Sequence, residues 1–391
     1  MALFGDGLSA DPDLITAAEQ ATRAALEPLG AQRPDLVCAF INASDPTAVE
    51  VAAARIVELS GAEHVIGCSV AGVIGAGLAI ENGAAVSVWA AVMPDVGIRT
   101  FHLEVLRTDD SLAVVGMPER HDDDRVCLLL SDPFSFPADG FVERANRSMP
   151  GLPMAGGVAA GPRGAGSTRL LLDDRTVDRG AVGVMLSGPV HIGTIVSQGC
   201  RPIGPSMVVT AADGNAILGL AGAPALSKLE QIIAELPAEE QALASQGLHL
   251  GIVMNEYADD HQRGDFLIRG VLGGDRTRDA VLVGDVVEVG RMVRFQVRDA
   301  DAASDELNAL LEAAGAQADM KHVEGALLFS CTGRGAMLFP SAEHDVDTLR
   351  RHFAKVPVAG FFANGEIGPV GGQNHLHGYT ASIVTFGPVV V

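Results

Sequence analysis

Near the carboxyl end of the chain a cysteine, an arginine, an asparagine and a glutamate stand among glycines at the ends of apolar runs. Phe329-Ser330-Cys331-Thr332-Gly333-Arg334-Gly335 is followed, one predicted helix later, by Gly360-Phe361-Phe362-Ala363-Asn364-Gly365-Glu366-Ile367-Gly368. The Arg334 guanidinium is a rigid donor fork suited to a carboxylate or phosphate. Glu366 suits an ammonium, and Asn364 reads both donors and acceptors. Together they would suit an amino-acid zwitterion. The same residues also have a structural reading, with Arg334 in a salt bridge to Glu366 and Asn364-Gly365 as a hairpin turn. Cys331 is a ligand contact or a packing residue, and a nucleophile only if Arg334 stabilises its thiolate. Upstream, Cys200-Arg201-Pro202 has a similar look; Pro202 forces Arg201 into extended or turn geometry, either lining a pocket or lying on the surface as a loop arginine.

These residues need a frame of strands, and the apolar pattern supplies one three times over. Val37-Cys38-Ala39-Phe40-Ile41, Val126-Cys127-Leu128-Leu129-Leu130 and Ala326-Leu327-Leu328-Phe329 each precede a predicted helix, a glycine-rich strand or turn, and a further apolar strand. Such recurrence suggests duplication of a β-α-β-β unit. The expected fold is α/β, two related domains of mixed β-sheet covered by helices, over residues 1–222 and 223–391. The boundary falls in the stretch between Gly219 and Gly247, whose most polar part is Pro237 to Gly247. Asp11 and Pro12 predict the start of a first helix; Asp45-Pro46 and Gly61 bracket a second. Residues 267–298 read as short strands of an antiparallel meander.

Composition removes several classes of function. The net charge is −22, from 27 basic and 49 acidic residues, so no basic stripe faces a nucleic acid or an anionic membrane. The five cysteines are scattered without a Cys-x-x-Cys pair, and the start of the chain lacks a basic and then apolar leader. A cytoplasmic location is therefore expected. Gly67-Cys68-Ser69-Val70-Ala71 fails as a nucleophile elbow because no helix follows, and Gly161-Pro162-Arg163-Gly164-Ala165-Gly166 fails as a phosphate loop because no Lys-Ser/Thr follows. His375 and His377 alternate as a metal-binding pair would, but no third ligand has matching spacing. No nucleophile and base stand at a convincing separation, so the chain is not expected to be an enzyme.

The motifs Gly67-Cys68-Ser69-x-Ala71-Gly72, Ala155-Gly156-Gly157, Gln198-Gly199-Cys200-Arg201-Pro202-Ile203-Gly204, Phe329-x-Cys331-x-Gly333-Arg334-Gly335 and Gly360 to Gly368 resemble the FIST family, with its N-terminal and C-terminal FIST domains, over nearly the whole length. The resemblance implies a sensory protein in signal transduction that binds a small ligand, with amino acids as the suggested class. No kinase, cyclase or methyl-accepting segment is recognisable, so a signal would pass by contact with a downstream protein partner. Some family members are described as haem-binding gas sensors, which gives a rival reading with His191, His249, His375 or His377 as axial ligand. A protein-interaction adaptor and a cysteine-dependent enzyme are the remaining rivals. The expected ligand-binding residues are Arg334, Asn364, Glu366, Cys331, Arg201 and Cys200, with no metal and no required cofactor.

Overall fold

The structure is a computed structural model that describes residues 2–107, 112–161, 164–254, 256, 261, 264–317 and 322–388. Pro162 and Arg163 of the glycine-rich stretch lie outside the described residues. The described residues form two compact units, 1–196 with 307–376 and 380–391, and 197–306 with 377–379. The expected boundary at 222/223 falls inside the second of these units, as does the polar stretch after Pro237, which is a helix.

The first unit begins with β1 (Leu3–Ser9), α1 (Leu14–Leu26), β2 (Leu36–Asn42), α2 (Pro46–Ser60), β3 (His64–Ser69), the hairpin β4 (Val73–Gly75) and β5 (Leu78–Ile80), and β6 (Ala85–Val92). Asp13, two residues beyond the expected cap, accepts the Thr16 N–H at 2.7 Å and starts α1; Asp11 instead accepts the Asp13 N–H. Asp45, Pro46 and the left-handed Gly61 delimit α2 as the sequence predicts. A second set follows: β7 (Gly97–Arg107), β8 (Leu112–Val115), β9 (Asp124–Ser131), α3 (Ala138–Ser148), β10 (Met154–Val158), the hairpin β11 (Leu170–Leu172) and β12 (Arg175–Val177), and β13 (Ala181–Ser187). The chain then runs through β14 (Ile192–Gln198).

The second unit holds β15 (Cys200–Pro202), β16 (Met207–Asp213), β17 (Ala216–Leu220), β18 (Ala223–Pro224), α4 (Ala225–Glu235), α5 (Ala238–Gln246), β19 (Leu248–Val253), β20 (Phe266–Asp275), β21 (Ala280–Val283) and β22 (Met292–Arg298). Of the meander predicted over residues 267–298, β20 and β21 pair as expected, but β22 lies between β16 and β19 instead of beside β21, and the sheet closes through it. Strands run β22-β16-β17-β21-β20-β19, and β19 pairs back onto β22, all antiparallel. Alternation along each strand sends Leu250, Val281, Phe295 and Val297 into the core, which Leu229 and Ile232 of α4 complete.

The chain re-enters the first unit through α6 (Ala300–Ala316), then forms β23 (Gly325–Cys331), α7 (His344–His352), β24 (Val358–Ala363), the hairpin β25 (Glu366–Val370) and β26 (Gln373–His377), and β27 (Thr380–Phe386). The three sets share one plan. β2 pairs parallel with β3 and antiparallel with β6; β9 pairs likewise with β10 and β13, and β23 with β24 and β27. A helix joins the parallel strands each time. The hairpins, however, do not stay at home. β4–β5 extends the sheet of β24, β11–β12 that of β3, and β25–β26 that of β10. Each repeat lends its hairpin to another, and the loan closes in a ring.

One face of each of the three sheets of the first unit turns to a common core, whose aromatic centre is Phe4, Phe40, Trp89, Phe329, Phe361 and Phe386. The other faces are covered by helices, α1 and α2 on the first sheet, α3 on the second, α6 and α7 on the third. The mixed α/β class expected from the sequence is therefore the observed one. No helix among the described residues is long and apolar enough to cross a membrane.

Candidate functional site

The carboxyl ends of the parallel strands β23 and β24 carry a buried polar cluster, the place where α/β sheets present side chains to ligands. Arg334 follows β23 and is 0% exposed. Its Nε and Nη2 each donate to the Asp345 carboxylate at 2.8 Å, a bidentate pair. Ser330 Oγ donates to the same carboxylate at 2.7 Å, and His344 Nδ1 lies 3.0 Å from its other oxygen. Burial alone would raise the Asp345 pKa. The Arg334 charge and the hydrogen bonds from Arg334, His344 and Ser330 outweigh it and hold the carboxyl well below the usual range. Phe339 stacks on His344 with centroids 3.5 Å apart, and the Arg334 guanidinium lies 5.1 Å from the same ring.

Glu366, the first residue of β25, is also 0% exposed. Thr380 donates to its Oε2 from the backbone N–H at 3.1 Å and from Oγ1 at 2.8 Å. Burial pushes its pKa up, against the pull of the Thr380 hydrogen bonds, Cys331 and the Arg334 charge. Cys331 is therefore a neighbour of Glu366, and its sulfur accepts the Gly333 N–H at 3.4 Å. The turn that sets this geometry needs glycine at 335: φ is +52°, and a Cβ there would meet Glu81 Oε1 at 2.2 Å.

The structure thus brings Arg334, Glu366 and Cys331 together and corrects how they relate. Arg334 takes Asp345 as its salt-bridge partner, and the cluster is closed over, so Arg334 and Glu366 do not wall an open cavity between them. Asn364 is set apart: it is exposed, and its Nδ2 donates to the Ala159 carbonyl at 3.3 Å beyond the end of β10. Arg201 and Cys200 belong to the second unit. Arg201 pairs with Asp299 at 2.8 Å and Glu240 at 2.7 Å, while Cys200 is 2% exposed beside Phe266 and Ile268. Sequence reasoning missed Asp345 and His344. A signal was present for Asp345, which precedes Leu349 by one helical turn on the apolar side of α7 and so is a charge on a buried face.

An open pocket of about 600 Å3 lies against this cluster, lined by Pro340, Ser341, His344, Asp347, Arg350 and Arg351. His344 therefore belongs both to the pocket wall and to the Asp345–Arg334 network. Arg350 lies so close to the left-handed Gly77 at the tip of the β4–β5 hairpin that a Cβ there would meet its Nη1 at 1.7 Å, and Arg351 donates to Thr348 Oγ1 at 2.7 Å.

The chemistry of the remaining candidates follows from burial. The Cys38, Cys68 and Cys127 thiols are pushed up by burial, Cys127 to about 12, which keeps them from acting as thiolates. Ser69 is fully buried and its Oγ accepts the Arg169 N–H at 2.9 Å. His249, a candidate haem ligand, is packed edge-on against Tyr379 with centroids 4.2 Å apart, so the tyrosine ring holds space that a porphyrin would need.

Comparison with known proteins agrees with these features. The FIST N domain matches residues 35–223 and the FIST C domain residues 225–369. The uncharacterized protein Rv0628c of Mycobacterium tuberculosis is 43% identical over 98% of this chain and 99% of its own length. The uncharacterized protein Mb0898c of Mycobacterium bovis is 39% identical over 98% of each chain. FIST domains form a sensory, non-catalytic family associated with signal transduction. The matched segments follow one another along most of the sequence, and the chain belongs to the FIST family.

Proposed function

We propose that this protein is a cytoplasmic sensor of a small amino-acid-like carboxylate, read in the pocket beside α7 and passed to a protein partner. Arg350 and Arg351 supply the cationic wall for the carboxylate, Asp347 the acceptor for the ammonium, and Ser341 and His344 hydrogen bonds. Two adjacent arginines on a chain of net charge −22 make a local positive site that attracts anions. The observation that carries the reading is His344, which lines the pocket while bonded to the carboxylate that neutralises fully buried Arg334. A ligand that turns the imidazole alters the balance of a dry charge cluster, where electrostatics are strong. Arg334, Glu366 and Cys331 then relay the event, while Asn364 stands away from it. Five buried cysteines, none of them in a disulfide, fit a reducing compartment.

Thermal-shift titration against a panel of amino acids tests this. One or more should stabilise the protein in proportion to RT ln(1 + [L]/Kd), and Arg350→Ala/Arg351→Ala should abolish the shift. A shift that survives the double substitution moves the ligand out of this pocket.

A further inference from the structure

Alternation along β1, the edge strand of its sheet, puts a carboxylate in line with two core residues. Asp6 shares its side of the strand with Phe4 and Leu8, and it faces Trp89 across to β6. Its Oδ2 accepts the Ala76 N–H at 3.0 Å and the Val358 N–H at 2.9 Å. One oxygen thus joins β1 to the tip of the hairpin β4–β5 and to the first residue of β24. The tip needs such a hold. Ala76 and Gly77 take φ of +51° and +80°, the two left-handed positions of a tight hairpin turn, and alanine is uncommon there.

Arg350 reaches the same tip from α7. Its guanidinium lies against Gly77 and lines the pocket, together with the titratable groups His344, Asp347 and Arg351. Arg350 is half-buried, yet among the described residues it makes no hydrogen bond and no ion pair. Its donor fork is therefore unused. Burial raises the Asp6 pKa, opposed by the Val358 and Ala76 hydrogen bonds and by the Arg350 charge. The carboxylate and the guanidinium thus act on each other across the turn without an ion pair.

On the pocket reading given above, we infer that Asp6 both limits ligand affinity and reports occupancy, by competing with the ligand carboxylate for Arg350. The charge on Asp6 offsets part of the field that Arg350 turns toward an anion, so it weakens binding. A bound carboxylate in turn weakens what Arg350 does for Asp6, because the coupling of two sites is reciprocal. Asp6 then loses part of what keeps it ionised, and its charge-assisted bonds to Ala76 and Val358 weaken. Occupancy of a pocket on α7 is thereby felt at β1, at the exchanged hairpin and at the start of β24.

Asp6→Asn separates charge from geometry, since a single amide oxygen can accept both N–H groups. Two measurements on the full-length protein need no ligand. Phenylglyoxal should modify Arg350 about threefold faster or more in Asp6→Asn than in the wild type, the scale of one charge removed from a half-buried site, with Arg351 as the internal reference. The Asp6 carboxyl carbon resonance should titrate at higher pH in Arg350→Gln than in the wild type, because loss of a neighbouring cation favours the neutral acid. That second arm decides should Asp6→Asn fail to fold. L-Glutamate is the ligand probe, and calorimetry should show it bound about threefold tighter or more by Asp6→Asn. An unchanged Arg350 rate and an unchanged Asp6 titration overturn the inference, and so does equal affinity of the wild type and Asp6→Asn for L-glutamate. Failure of L-glutamate to bind either protein while the ligand-free coupling holds counts against the pocket reading and ends the reporting role with it.

Discussion

A buried guanidinium is tolerated only while its counter-charge stays in place. Asp345 takes two hydrogen bonds from Arg334 and a third from Ser330, and all three residues are buried. Removing the carboxylate strands the cation in a low-dielectric interior, whereas removing both partners does not. Asp345→Ala should therefore cost about 3–5 kcal/mol, and the Arg334→Met/Asp345→Ala double variant less than that single one. Urea unfolding of the single and double variants measures the difference. Simple additivity of the two single effects would show that Arg334 finds a substitute partner. The residue types at 331, 334 and 366 announced a polar cluster in the sequence. The identity of the arginine's partner did not show, because Asp345 lies on the following helix and only the fold turns that helix face toward β23.

At the scale of elements, side chains as well as strand pairing tie an exchanged hairpin to the repeat that receives it. Asn374 of β26 is the clearest case: its Nδ2 donates to the Leu152 carbonyl at 2.9 Å and its Oδ1 accepts the Met154 N–H at 2.8 Å, while its backbone trades two hydrogen bonds with Asn146 of α3. Asn374→Ala leaves a buried N–H and a buried carbonyl without partners. A loss of about 2–4 kcal/mol is expected, read from the denaturation midpoint at unchanged slope. A loss under half a kilocalorie, on the order of an ordinary surface substitution, would mean that β-pairing alone holds the hairpin. The alternation of apolar residues marks where strands begin and end, and the caps mark α2; neither says which sheet a hairpin joins, since β4–β5 would satisfy its backbone equally well against its own repeat.

For the molecule as a whole, the ring of borrowed hairpins and the shared aromatic core make the three repeats of the first unit interdependent. No repeat completes its sheet alone. Leu171→Ala, in the hairpin lent to β3, should therefore lower hydrogen-exchange protection in the other two sheets as well as in the first. Protection lost only around β3 would show that the repeats open separately. Some of this was open to a reader of the bare sequence. Apolar periodicity, turn residues and caps act over a few positions, so they determined the α/β class, the threefold recurrence of strand, helix and strand, and the positions of the strands within residues 267–298. What the chain could not state locally, the tertiary structure decided: which strands trade hairpins, that β22 leaves the expected meander to pair with β16 and β19 and close a barrel, that Asp345 and not Glu366 neutralises Arg334, and that Asn364 faces elsewhere. Each of those depends on contacts between residues distant in sequence, and the free energy of such contacts exists only once the sheets are assembled.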